Sequence, residues 1–139
     1  NFLQTETNSY IFKTSNKKNT IIFYNKAENS KISIFKKKGI KLIKSNLINN
    51  KDFNIREILK KLYKNGCRNL LVEGGNELTG SFLKKNFYNH FYLMKSRKNL
   101  SKLVPFKEFK FFKILSQNYK KKLTISTKLA KDTIKLYNK

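Results

Sequence analysis

The residues of this chain best suited to chemistry form one continuous run, Leu70-Leu71-Val72-Glu73-Gly74-Gly75-Asn76-Glu77-Leu78-Thr79-Gly80-Ser81-Phe82-Leu83. An apolar stretch of strand type leads into a carboxylate, a double glycine and a segment with helical spacing. Two successive glycines let the backbone turn sharply and approach a ligand with no Cβ in the way. The N–H groups at the start of the following helix, from Gly75 to Thr79, then face outward as a site for a phosphate or pyrophosphate. Thr79 and Ser81 can add hydroxyl donors. In an open α/β sheet, ligands bind beyond the carboxyl ends of the strands, which is where Glu73, Gly74 and Gly75 would lie. The plain alternative is a tight turn beside a solvated Glu73. The run is neither a Walker loop nor a Gly-x-Gly-x-x-Gly dinucleotide turn.

Other reactive side chains are few. One cysteine, Cys67, and one histidine, His90, cannot supply the three or four ligands of a zinc site, so no metal is expected. A lone cysteine forms no internal disulfide, which fits a reducing compartment. Cys67 reads as a small buried hydrophobe before the expected strand. His90 reads as a structural or surface histidine on a later strand, with no matched nucleophile.

The elements that must position the run can be read on either side of it. Residues 1–19 read as loop plus a short extended piece. The β-branched and aromatic residues 20–24 predict a buried strand. Residues 28–38 predict a helix ending at Gly39, and residues 40–43 a short strand. Asp52 or Asn54 can cap a helix whose apolar positions Ile55, Ile58, Leu59 and Leu62 keep i, i+3, i+4, i+7 spacing, and Asn65-Gly66 closes it. Residues 69–72 predict a central strand. A second helix over 76–85 would carry Leu78, Phe82 and Leu83 inward, and residues 90–94 predict another strand. The segments 109–115, 123–127 and 133–136 all read as strands. Alternating strands and helices followed by strands alone predict an α/β sheet with a parallel centre and an antiparallel C-terminal edge.

Length and composition bound the rest. A chain of 139 residues with 39% hydrophobic and 14% aromatic residues can enclose one core, and no linker or repeat marks a boundary. No apolar run approaches the ~18 residues of a spanning helix, and the first residues carry no secretory pattern, so a cytoplasmic location is expected. The net charge of +24 has two readings. One is a polyanion-binding surface, for which Lys36-Lys37-Lys38 and Lys120-Lys121-Lys122, with nearby Phe35 and Tyr119 as stacking platforms, are the best residues. The other is compositional drift: only Arg56, Arg68 and Arg97 are arginine, while Lys, Asn, Ile, Phe and Tyr, all with AT-rich codons, dominate the chain. Base readers lean on arginine, and that makes nucleic acid the weaker partner.

Taken with Ile58-Leu59-Lys60-Lys61-Leu62 and Gly66-Cys67-Arg68-Asn69 before it, the run resembles the reductase domain of the riboflavin-biosynthesis deaminase–reductase. That pattern is a helix, a short turn, a Leu-Leu-Val-Glu-Gly-Gly strand-turn and a helix holding Ser-Phe-Leu. Residues 20–24, Gly39-Ile40-Lys41-Leu42-Ile43 and residues 87–94 resemble flanking strands of the family. The resemblance implies a dihydrofolate-reductase-like three-layer fold over a single domain, residues 1–139, with a mostly parallel central sheet. It implies NADPH-dependent reduction of the ribosyl group of a phosphoribosylamino-pyrimidine to the ribityl chain. Glu73 would contact the substrate, and Gly75, Asn76, Glu77, Leu78, Thr79, Gly80 and Ser81 would line the cofactor diphosphate. Lys26 would lie where the extra phosphate of NADPH is met, or be one more surface lysine. The resemblance further implies a homodimer and a zinc deaminase domain preceding this one in a longer protein. The family's first strand and its Arg- and Asp-bearing strand have no match upstream of Tyr10. An incomplete reductase domain, or a non-catalytic remnant of one, is therefore expected.

Overall fold

The computed structural model describes residues 3–16, 19–49, 52–96, 111–119, 121–126 and 132–139. The chain divides into two compact units, Asn1–Leu70 and Leu71–Lys139.

In the first unit, helix α1 (Tyr10–Thr14) replaces the loop expected over the opening residues. Its start is set by Ser9, whose hydroxyl accepts from the Phe12 N–H, and Phe12 packs edge-on against Phe35 at 4.8 Å. That cap and contact stabilise a single turn that the polar sequence does not announce. Strand β1 (Ile21–Tyr24), helix α2 (Asn29–Lys37) and strand β2 (Lys41–Lys44) then form a right-sized βαβ unit, with β1 and β2 parallel and in register from Ile21 opposite Lys41. Gly39, at φ 83°, makes the turn out of α2, a left-handed conformation that glycine adopts without a Cβ clash. Leu3, Phe35 and Ile40 form the buried core, with Phe12, Ile22, Tyr24, Ala27 and Leu42 against it. A small antiparallel pair, β3 (Leu47–Ile48) and β4 (Asp52–Phe53), leads into helix α3 (Ile55–Lys64). Of the two candidate caps, Asn54 does the capping: its side chain accepts from Glu57 N–H at 3.3 Å. Gly66, at φ 88°, ends the turn after α3.

The second unit holds helix α4 (Asn76–Lys84), strand β5 (His90–Lys95), helix α5 (Phe112–Asn118), and strands β6 (Lys121–Ile125) and β7 (Thr133–Asn138). The strands form one antiparallel sheet in the order β5-β7-β6. Leu83, Leu115, Tyr119 and Tyr137 make its core, with Phe91 and Leu93 on the inner face of β5 beside them. The opposite face stays open, with Tyr92, Met94 and Leu123 all more than half exposed.

Three expectations are corrected. The strand-like 109–115 is helical from Phe112; residues 109 and 110 lie outside the described residues. Phe111, Leu115 and Tyr119 recur every four residues, and burying them as one stripe overrides the β preference of the aromatic run. Residues 69–72 join no strand ladder among the described residues, and Leu71 is 80% exposed. The only parallel pairing among the described residues is therefore β1 with β2. An apolar run states that a segment suits a sheet, but its ladder depends on a partner remote in sequence. Finally, Leu78 is 42% exposed, while Phe82 and Leu83 are buried as expected.

Candidate functional site

The glycine turn is built by its own side chains. α4 starts at Asn76 with Gly75 as its N-cap, and no side chain caps it. The first backbone bond into the helix is Thr79 N–H to Gly75 C=O at 3.1 Å. The Thr79 hydroxyl donates to Gly74 C=O at 3.2 Å, so one residue ties down both glycines. Leu78 folds back over Gly74: a Cβ built there would meet Leu78 Cδ2 at 2.7 Å. A Cβ on Gly75 would meet nothing within 4 Å. The open space over Gly75, at an uncapped helix start, is what a phosphate needs to reach the backbone N–H groups.

The neighbouring residues divide between surface and core. Glu73, Gly74, Gly75, Glu77 and Leu78 are exposed, Asn76, Thr79 and Ser81 are half-buried, and Gly80 is buried. The Glu73 carboxylate takes no hydrogen bond or ion pair from the described residues, which leaves it available. Gly80 sits under the Phe111 ring, where a Cβ would overlap the ring atoms, so packing alone requires glycine there. Behind the turn lies a feature that pattern reading passed over. Tyr88 packs against Phe82 at 5.2 Å and Phe91 at 5.4 Å, and its C=O accepts from the Tyr119 hydroxyl at 3.1 Å. Burial pushes the Tyr88 phenol up, against a smaller lowering effect of the Thr79 side chain. No local motif points to Tyr88, because its hydrogen-bond partner Tyr119 lies 31 positions away.

The remaining candidates take structural places. His90 Nδ1 meets Asn138 Oδ1 at 2.8 Å across the β5–β7 ladder. Cys67 is half-buried, not buried, with its Sγ on Asn69 C=O at 3.3 Å; the turn after α3 keeps it near the surface. Lys26 is exposed just beyond β1, where its C=O accepts from Leu3 N–H. Phe35 and Tyr119, the proposed stacking platforms beside the lysine runs, are 0% and 1% exposed. Buried rings cannot stack on bases, so the nucleic-acid reading loses its aromatic half. Lys120 lies outside the described residues. Among the described residues, no three His, Cys, Asp or Glu side chains gather as a metal site, and no helix is long and apolar enough to cross a membrane. Two shallow grooves, one of about 580 Å³ along α3 by Leu59, Lys60 and Tyr63 and one by Glu6 and Glu28, have no residue of the glycine turn in their lining. Chemistry, not concavity, marks the site.

Comparison with known proteins bears on the same segment. The chain matches the family model described as the RibD C-terminal domain over residues 2–96. It is 38% identical over 68 residues to the riboflavin biosynthesis protein RibD of Aquifex aeolicus (strain VF5), a stretch that covers 49% of this chain and 18% of that protein. The chain thus spans less than a fifth of the length of that relative.

Proposed function

The chain belongs to the RibD C-terminal domain family, and from that premise we propose that it is the reductase part of a riboflavin-biosynthesis enzyme, a single and partial domain acting with NADPH on a phosphorylated ribosylamino-pyrimidine. The observation that carries the reading is the Glu73-Gly74-Gly75 turn with open space over Gly75 at the uncapped start of α4. When bound, NADPH supplies the hydride that opens the ribosyl group to the ribityl chain. The chain's own residues bind and orient. The amides at the start of α4, from Gly75 to Leu78, face the cofactor diphosphate, while the Thr79 N–H is already bonded to Gly75 C=O. Glu73, exposed and without a partner among the described residues, accepts hydrogen bonds from substrate hydroxyls or a ring N–H and moves no proton. The surrounding positive charge draws in two phosphorylated ligands. The same family reading carries a homodimer and an N-terminal zinc deaminase domain in the longer protein. The open apolar face of β5-β7-β6 supports a self-association surface.

Titration of the full-length protein with NADPH, followed by cofactor fluorescence, tests the assignment. Saturable binding, with NADPH consumed when the pyrimidine substrate is added, is expected. Absence of binding would sink the cofactor reading.

A further inference from the structure

We propose that Leu70-Leu71-Val72 is an acceptor strand: it takes an extended apolar strand from the part of the longer protein that this chain does not span, and that pairing anchors Glu73 and the glycine turn. The inference rests on the reading of the chain as a partial domain and names what completes it. Among the described residues, the backbone N–H and C=O groups of Leu70, Leu71, Val72 and Glu73 make no hydrogen bond. Leu70 and Leu71 are 46% and 80% exposed, and Val72 is half-buried. An open backbone between apolar side chains is a template for strand addition, with main-chain bonds giving affinity and the side chains giving fit.

The composition of the run is that of a covered segment. The chain holds 32 Lys and Arg among 139 residues, yet residues 69–83 hold none. A strand edge left in water is blunted with lysine or proline, and Leu70-Leu71-Val72 has neither. Successive side chains of a strand point to opposite faces, so this run is apolar on both. That pattern belongs to a strand inside a sheet covered on each side. The stretch aligned with the Aquifex aeolicus relative is 18% of that protein, so a protein of that length has ample further chain from which to supply a strand. Once paired, the acceptor places Glu73, Gly74 and Gly75 at its carboxyl end, where α/β sheets bind their ligands.

Amide hydrogen exchange in the full-length protein tests the pairing. At least alternate amides from Leu70 to Glu73 should exchange about a hundredfold more slowly than in an unfolded chain. That protection should not depend on protein concentration, because the added strand belongs to the same polypeptide. Leu71→Asp is harmless on a side chain left in water. In the paired strand it should lower Tm and return these amides to fast exchange. Tyr10→Asp, at the same 80% exposure on α1, should do neither. Fast exchange across Leu70–Glu73 in the wild type, or an unchanged Tm in Leu71→Asp, would overturn the proposal. Protection that grows with concentration would assign the strand to a second copy and overturn it equally. Slow exchange in a protein that binds no NADPH would remove the cofactor reading and leave the acceptor strand standing.

Discussion

Gly75 and Gly80 lie in one segment and answer to opposite demands. Gly75 adopts φ −70° and ψ 178°, open to any residue, with empty space where a Cβ would go. Gly75→Val should therefore cost about 1 kcal/mol or less, as a poorer helix N-cap, and yet abolish NADPH binding by filling the phosphate's approach. Thermal unfolding beside a fluorescence titration separates the two effects. At Gly80 a methyl group would gain about 1 kcal/mol of helix propensity but must displace the Phe111 ring, at a cost of about 1–3 kcal/mol. The overlap wins, and Gly80→Ala should lower Tm. Tyr119 gives a pH signature: burial raises its phenol pKa above the ordinary 10.0, against its backbone bond to Tyr88. A raised folded pKa means that stability is intact below pH 10 and falls as the pH rises through the folded value. The stability difference between wild type and Tyr119→Phe should shrink over that alkaline window, as read by urea unfolding at stepped pH.

Among the elements, α3 and α5 show how differently a helix can be specified. α3 carries its own instructions: Asn54 caps it, Glu57 follows in the first turn, and Gly66 closes it. Its lysine Lys61 also ties it to the end of β2, donating to Lys44 C=O at 2.6 Å and to the buried Ser45 hydroxyl at 3.1 Å, while pairing with Glu57. Loss of the cap in Asn54→Ala should cost about 1 kcal/mol in denaturant unfolding. α5 has no side-chain cap and no acidic residue in its first turn. It owes its helix to burial of Leu115 and Tyr119 against Leu83 and the sheet. Truncating the fully buried Leu83 should cost about 2–5 kcal/mol, enough to disorder α5 and with it the Tyr119 support of Tyr88.

Over the whole chain, the +24 charge attaches to lysines whose neighbouring aromatic rings, Phe35 and Tyr119, are spent in two separate cores. Electrostatic attraction to polyanions remains, but without stacking it carries no base preference. Binding to single-stranded homopolymers should therefore be indifferent to base and collapse with salt; a marked preference for one homopolymer would restore the nucleic-acid reading. The family match across residues 2–96 covers nearly all of the first unit and reaches into the second as far as β5, so the same similarity covers the parallel βαβ unit and the glycine turn with α4.

Local information decided much of this protein. The capped helix α3, the positive-φ glycines at 39 and 66 and the placing of the glycine turn at the start of α4 follow from signals within a few residues of each other. That reach is the span of a helical hydrogen bond, which is why sequence spacing records it. Tertiary structure decided which apolar segments found partners. Leu70-Leu71-Val72 has strand composition but no ladder among the described residues, whereas the stripe Phe111, Leu115 and Tyr119 runs along helix α5 and its two caps because a sheet remote in sequence covers it. It alone brought the Tyr119 hydroxyl to Tyr88 C=O, since burial and side-chain contact depend on residues that the chain brings together only after it folds.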